Sequence, residues 1–99
     1  MYLKIHETKD GNIVAACDKE LIGTIIEGKN GVCIDLDKYR NFYIGEIVGE
    51  EEIIKALKNF SSANLIGEKV VAIAVKEGLI RKNAIRYINT IPYIQIYQI

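Results

Sequence analysis

The apolar residues of this 99-residue chain change their spacing along its length, and that change restricts the folds open to it. Residues 2–7 alternate between apolar and polar side chains, with Leu3 and Ile5 on one side, which is typical of a half-buried β-strand. Residues 12–17 continue as a second strand after a turn at residues 9–11, which predicts a β-hairpin. Residues 24–27 and 32–36 flank the loop GKNG and predict a second hairpin.

The middle of the chain repeats its apolar residues every three to four positions, which predicts two amphipathic helices. The first, in EEEIIKALKNF, has glutamates in its first turn, where the helix dipole favours them. The second is predicted within SSANLIGEKVVAIAVKEG, with Ser62 or Asn64 as its N-cap and Gly78 as its stop. Gly67 falls inside this helix or at its first turn, which indicates that another backbone comes close or that the helix begins nearby.

The order of these elements predicts the fold class. Asp18 is expected to cap a short helix, DKELI, that stops at Gly23. After the two longer helices come two closing strands, at residues 84–88 and 93–99. We therefore predict a single α+β domain over residues 1–99, with one mixed or antiparallel sheet of about six strands and the helices on one face.

Composition and charge exclude some classes of protein. Lys and Arg balance Asp and Glu, so no overall basic field would attract nucleic acid. The chain begins on an alternating strand and has no apolar run near the roughly 18 residues of a membrane span, so we predict a cytoplasmic protein without a membrane partner. Many Ile, Lys and Glu residues are typical of a thermophile, although an AT-rich genome gives the same bias.

Two cysteines, Cys17 and Cys33, are too few and too far apart for a zinc motif. Cys17 has Asp18 and Glu20 near it in the sequence, and the first hairpin could bring His6 close to them. The imidazole would then be the base of a nucleophilic thiol. Alternatively, the four side chains would be metal ligands. The favoured interpretation is structural, with Cys17 packed as a small apolar residue. We predict no catalytic residue, metal site or cofactor, and a disulfide between the cysteines stays open.

Four stretches carry a family resemblance: ACDKELIG (16–23), FYIGE (42–46), ANLIGE (63–68) and IPYIQI (91–96). They resemble the small archaeal proteins of domain-of-unknown-function family 424, and the likeness spans nearly the whole chain. The resemblance implies an archaeal cytoplasmic protein with no established activity. It supplies no functional residues to carry over.

The stretch KYRNFYIGE mixes cations and aromatic rings where the apolar pattern breaks down, and the last quarter of the chain repeats the mixture. Single-stranded nucleic acid is bound in this way, because rings stack on bases while cations meet phosphates. The candidate nucleic-acid-binding residues are Lys38, Tyr39, Arg40, Tyr43, Arg81, Lys82, Arg86 and Tyr87. They predict a module that binds RNA or a ribonucleoprotein, provided that the two segments are neighbours. Alternatively, the rings form a small apolar cluster beneath the loop.

The C-terminal stretch PYIQIYQI is uncharged and rich in residues that favour strands. An exposed edge of this kind pairs readily with another chain. Either it lies within the sheet, which we favour, or it is an edge that binds a protein partner or a second copy. The second function hypothesis is accordingly an assembly factor that pairs through this strand.

Overall fold

The computed structural model describes residues 1–98, which form eight strands in two sheets and three helices. The strands are β1 (Tyr2–Thr8), β2 (Gly11–Cys17), β3 (Ile25–Glu27), β4 (Cys33–Asp35), β5 (Glu46–Ile47), β6 (Ser62–Ile66), β7 (Arg86–Ile88) and β8 (Ile91–Tyr97). The helices are α1 (Arg40–Tyr43), α2 (Glu50–Ala56) and α3 (Glu68–Lys76). Short 3₁₀ turns span Lys19–Leu21, Lys29–Gly31 and Lys82–Ala84.

A mixed sheet of six strands, in the order β5-β1-β2-β6-β8-β7, forms the centre of the molecule. Its neighbouring strands are antiparallel except for β2 and β6, which are parallel. The second predicted hairpin, β3 with β4, forms a small sheet of its own. The predicted α+β class is therefore confirmed.

The helices α2 and α3 cover one face of the large sheet and form the main core with it. Val14, Leu65 and Ile94, from three neighbouring strands, are all but fully buried against Ile53 and Val70 of these helices. Roughly 1.5–3 kcal/mol per buried aliphatic side chain makes this layer the main stabilising contact of the fold. No helix within residues 1–98 is long and apolar enough to cross a membrane.

The opposite face is only partly covered. The hairpin β3–β4 and the one-turn helix α1 pack over a second apolar cluster, in which Leu36 and Tyr43 meet Cys17 and Ile66 of the sheet. We predicted that all helices lie on one face of the sheet. The structure differs, because α1 packs on the second face. The pattern missed α1 because a helix of four residues has too few positions to show a helical period.

The prediction that Ser62 or Asn64 caps the second long helix is wrong, since α3 begins only at Glu68. These residues form β6, which is hydrogen-bonded to β2 on one side and β8 on the other. Ala63 and Leu65 point into the core under the helices and are fully buried, while Asn64 lies on the opposite face. Asn64 therefore caps no helix, because two neighbouring strands here override the local preference for a helix.

Asp18 was predicted to cap its own short helix and instead caps α3. Its Oδ2 accepts the backbone N–H of Lys69 at 2.9 Å, and its Oδ1 accepts that of Val70 at 3.0 Å. The stretch DKELI forms only the 3₁₀ turn Lys19–Leu21, which has no side-chain cap. Because β2 and β6 are parallel and end side by side, the residue that follows β2 lies at the start of the helix that follows β6.

Gly67 joins β6 to α3 and lies against Asp18. Its φ is +118°, and a Cβ added there would overlap the Asp18 carboxylate. Its N–H donates to the carbonyl oxygen of Pro92 at 2.9 Å, so the chain has no freedom to move away. The other two glycines with predicted roles also have positive φ values, +89° at Gly23 and +68° at Gly78, which follows the end of α3.

Candidate nucleic-acid interface

The uncovered part of the second sheet face presents a row of polar and aromatic side chains. Along β8, Tyr93, Gln95 and Tyr97 point to this face, because alternate residues of a strand point the same way. Asn64 of β6 is directly opposite Gln95 in the ladder. We call these four residues the open sheet face. Tyr97 is 81% exposed, so its ring is free to meet a ligand.

A cleft of about 380 Å³ runs between the open sheet face and the elements packed over its neighbouring strands. Its floor includes Asn64, Tyr93 and Gln95, and its wall is formed by β4 and α1 with Tyr39 and Phe42. We call it the hairpin cleft. A volume of this size suits a small organic group, and rings with a few polar groups are the usual lining of such sites.

The floor of the hairpin cleft carries two carboxamide groups that no other part of residues 1–98 engages. The side chains of Asn64 and Gln95 take part in none of the hydrogen bonds that described side chains make. Residues directly opposite each other in an antiparallel pair have Cβ atoms about 4.5–5.5 Å apart. The side chains of Asn64 and Gln95 are therefore neighbours on this face. Two NH₂ groups, with four N–H donors, and two carbonyl oxygens are thus available beside aromatic rings.

Two side chains of β1 hold α1 in place. The His6 ring stacks on Phe42, with ring centroids 4.7 Å apart and planes inclined by 15°, and Nε2 lies 3.0 Å from the Phe42 carbonyl oxygen. Lys4 Nζ donates to the carbonyl oxygen of Asn41 at 2.8 Å. Phe42 also meets the edge of the buried Tyr43 ring at 5.1 Å. Two rings of KYRNFYIGE are therefore structural, as the alternative interpretation had it.

The turn before α1 brings Tyr39 to the surface. Asp35 Oδ1 accepts the backbone N–H groups of Asp37 at 3.0 Å and Lys38 at 2.8 Å, which fixes this turn. Tyr39 is 57% exposed, and Lys38 Nζ lies 5.5 Å from its ring centroid. Arg40 forms an ion pair with Asp37, which partly neutralises its charge. Lys38 and Tyr39 are thus the pair that this segment offers to a ligand.

The candidate residues near the C-terminus divide between the two faces. Arg86 is opposite Tyr93 in the ladder, is exposed, and borders a shallow depression with Tyr93 and Gln95. Tyr87 and Lys82 line a groove beside α3 on the other face. Arg81 is exposed and precedes the 3₁₀ turn at Lys82–Ala84. Tyr39 and Arg86 thus line two different pockets, and the two pockets share Tyr93 and Gln95 as lining residues.

The buried thiol of Cys17 has no catalytic geometry around it. The register places Cys17 opposite Tyr2 and His6 opposite Ile13, so the imidazole is too far along the hairpin to act as its base. Burial, with the carboxylates of Asp18 and Glu20 close by, raises the pKa of the Cys17 thiol to about 12. Both cysteines are free thiols, and residues 1–98 contain no cluster of three or more metal-ligating side chains.

The open sheet face was not predicted from the sequence. Asn64 was assigned to a helix start, and the C-terminal strand was predicted to lie within the sheet or, alternatively, to form a pairing edge, without its exposed face being considered. The alternation of Tyr93, Gln95 and Tyr97 in PYIQIYQI was the available signal, because it puts two rings and an amide on one face of a strand. No local sequence pattern predicts the strand order that places Asn64 beside Gln95, because β6 and β8 are far apart in the chain.

The fold and the cleft define a small α+β protein with an aromatic, amide-bearing face on its sheet. A family model described as "Protein of unknown function (DUF424)" matches residues 6–99, so the chain belongs to that family. Comparison with curated proteins gives no match.

Among solved structures, the chain is similar to an uncharacterized conserved protein from Methanopyrus kandleri, with 26% sequence identity and a TM-score of 0.79. The similarity covers 97% of this chain and 89% of that chain. The family resemblance is therefore confirmed, while the archaeal origin that it implies stays a prediction.

Proposed function

We propose that this chain is a cytoplasmic, non-enzymatic module that binds single-stranded RNA, free or within a ribonucleoprotein, through the open sheet face and the hairpin cleft. The observation that carries the proposal is the exposure of the Tyr39 and Tyr97 rings, 57% and 81%, beside unengaged carboxamides. Bases that are not paired can stack on such rings, whereas a duplex presents no free base faces.

The cations near this face support a local contact with the RNA backbone. Lys38 lies over the Tyr39 ring, and Arg86 lies on the far side of Tyr93. The chain is neutral overall, so attraction to phosphate depends on these local charges. Of the predicted binding residues, the proposal keeps Lys38, Tyr39 and Arg86. It leaves out Tyr43, which is buried.

The dependence of binding on salt tests this proposal. Two phosphate contacts predict a slope of about −1.4 for log K against log salt concentration, which is about a sevenfold loss of affinity between 50 and 200 mM salt. Fluorescence anisotropy with a labelled single-stranded RNA of mixed sequence measures the slope. We expect the double variant Tyr39→Ala with Arg86→Ala to bind about tenfold or more weakly, because stacking contributes about 1–3 kcal/mol per base.

The matched control removes one tyrosine and one cation from the opposite face. Tyr87→Ala with Lys82→Ala changes two exposed residues beside α3 and should leave RNA affinity nearly unchanged. Equal losses for the two double variants would contradict the proposal, as would the absence of any RNA binding by the unaltered protein. Circular dichroism of each variant checks that it is folded.

Pairing through β8 is the second candidate, and one observation favours it. β7 pairs only with residues 91–93 of β8. The N–H of Gln98 donates to Ser61 at 2.7 Å and the N–H of Gly67 donates to Pro92 at 2.9 Å, so residues 92, 94, 96 and 98 direct their backbone groups towards β6. The backbone groups of Gln95 and Tyr97 therefore point to the uncovered edge.

A second copy that pairs at this edge would make the protein a dimer. We expect light scattering after size-exclusion chromatography to give a dimer for the unaltered chain and a monomer for Gln95→Pro, because proline removes the outward N–H and keeps the pairing with β6. Gln95→Ala retains that N–H and should remain dimeric. A monomer for the unaltered chain at high concentration would exclude this candidate.

A further inference from the structure

We infer that the outer edge of β7 binds an extended, acidic segment of a partner protein, at a site separate from the open sheet face. β7 is the last strand of the large sheet, so within residues 1–98 no strand pairs with its outer edge. Pro92 lies opposite Tyr87, and its carbonyl oxygen accepts the N–H of Gly67, which follows β6. The pair of Tyr87 and Pro92 is therefore not hydrogen-bonded, and the backbone N–H and C=O of Tyr87 point away from β8.

A depression lies beside this edge on each face of the sheet. On the face that the helices cover, the groove beside α3 has a volume of about 430 Å³ and is lined by Val71, Val75 and Ile85. On the other face, a cleft of about 580 Å³ lies between β7 and the turn of the β3–β4 hairpin, with Val32 in its lining. Tyr87 lines both depressions and is 65% exposed.

This arrangement fits an added strand. A segment that pairs with a sheet edge sends successive side chains to opposite faces, so its neighbouring residues would enter the two depressions. In such complexes the main chain aligns the segment, and the pockets for its side chains make it specific. Of the three residues of β7, only Tyr87 has its backbone groups outward, and two hydrogen bonds add little affinity by themselves. Aliphatic side chains in the depressions must therefore supply most of the affinity.

The hairpin turn that borders the second depression is held against β7. A Cβ added at Gly28 would lie 2.8 Å from Ile88 Cγ1, so the turn and the strand are already in close contact. The N–H of Gly28 donates to the carbonyl oxygen of Val32 at 2.7 Å, which closes the turn. The depression is thus preformed, and a segment that enters it has little rearrangement to drive.

The charge around β7 indicates an acidic partner. Beyond Glu77 the chain has no acidic residue, whereas Arg81, Lys82 and Arg86 lie just before or within β7 and are exposed. The charged residues that line the two depressions are three lysines and two glutamates, so they do not reverse this excess. Aspartate or glutamate beside the pairing residues would be attracted to this edge, and lysine would be repelled.

A synthetic heptapeptide of alternating valine and threonine with an aspartate at each end, acetylated and amidated, tests this inference. We expect it to bind the ¹⁵N-labelled protein with its largest amide shifts at Tyr87 and its neighbours in β7, because a valine opposite Tyr87 points into the groove beside α3. The same peptide with N-methylated valines keeps its side chains but cannot donate to Tyr87. It should bind about fivefold more weakly. Equal binding of the two peptides, no binding, or shifts away from β7 would overturn the inference.

Two variants at one position provide the matched comparison. Tyr87→Pro removes the ring and the outward N–H but leaves the pairing with β8, whereas Tyr87→Ala removes only the ring. The proline variant should bind the peptide about fivefold more weakly than the alanine variant, and equal affinity would contradict pairing at this edge. A peptide with lysine at both ends should bind more weakly than the aspartate peptide, and the reverse order would exclude an acidic partner. Displacement of the peptide by single-stranded RNA would instead assign this edge to nucleic acid.

Discussion

Gly67→Ala is expected to lower the free energy of unfolding by about 3–5 kcal/mol. Its φ of +118° belongs to a region that is almost limited to glycine, which accounts for about 1–3 kcal/mol. The added methyl group would also overlap the Asp18 carboxylate and lie 2.7 Å from Asp18 Cβ. Because the Gly67 N–H is bonded to Pro92, the backbone cannot relieve this overlap without breaking a strand contact.

Urea unfolding followed by far-UV circular dichroism measures this effect, since the chain has no tryptophan. Gly78→Ala is the matched control. Gly78 also has a positive φ, +68°, but nothing lies within 4 Å of an added Cβ, so only backbone strain of about 1–2 kcal/mol is expected. If the two variants lose the same stability, the tight contact between Gly67 and Asp18 is not a stabilising feature of the fold.

Asp18→Ala is expected to cost about 2–4 kcal/mol of stability. Asp18 is only 2% exposed, and its carboxylate satisfies the N–H groups of Lys69 and Val70 at the start of α3. Alanine would leave both donors without this partner, and the Val70 N–H is buried away from water. Asp18→Asn should give a smaller loss, because the amide still accepts one N–H but turns its NH₂ towards the other.

The same urea titration measures both Asp18 variants, with Asp10→Ala as the control. Asp10 is exposed in the turn between β1 and β2, so its removal should change stability by less than about 0.5 kcal/mol.

A double-mutant cycle of Asp18 and Gly67 adds a second check. Gly67→Ala should be less damaging when Asp18 is already alanine, because the overlapping carboxylate is gone. Simple additivity of the two losses would contradict direct contact.

Much of the fold could be predicted from local pattern. The alternation of residues 2–7 and 12–17 predicted β1 and β2, and the helical spacing after Glu50 predicted α2. The strand β6 was missed because its five residues run directly into the apolar stretch of α3, so the whole segment looks helical. Only its position between two other strands makes it a strand, and that position depends on distant residues.

The candidate site was harder to predict than the fold. The sequence indicated that rings and cations cluster in two segments, but it could not say which face each residue takes. In β7, Arg86 points to the open sheet face while Tyr87 points towards α3, since neighbouring residues of a strand lie on opposite faces. Around α1, the buried Tyr43 is the last residue of the helix, whereas the exposed Tyr39 precedes it in non-helical conformation, and the sequence pattern predicted neither placement.

NMR titration of the ¹⁵N-labelled protein with single-stranded RNA tests the central claim most directly. We expect the largest shifts at the open sheet face and its flanks, that is, at Tyr39, Asn64, Arg86, Tyr93, Gln95 and Tyr97. The groove beside α3, with Lys82 and Tyr87, should shift little. Shifts concentrated in that groove, or no shifts at RNA concentrations well above those of the protein, would contradict binding through the open sheet face.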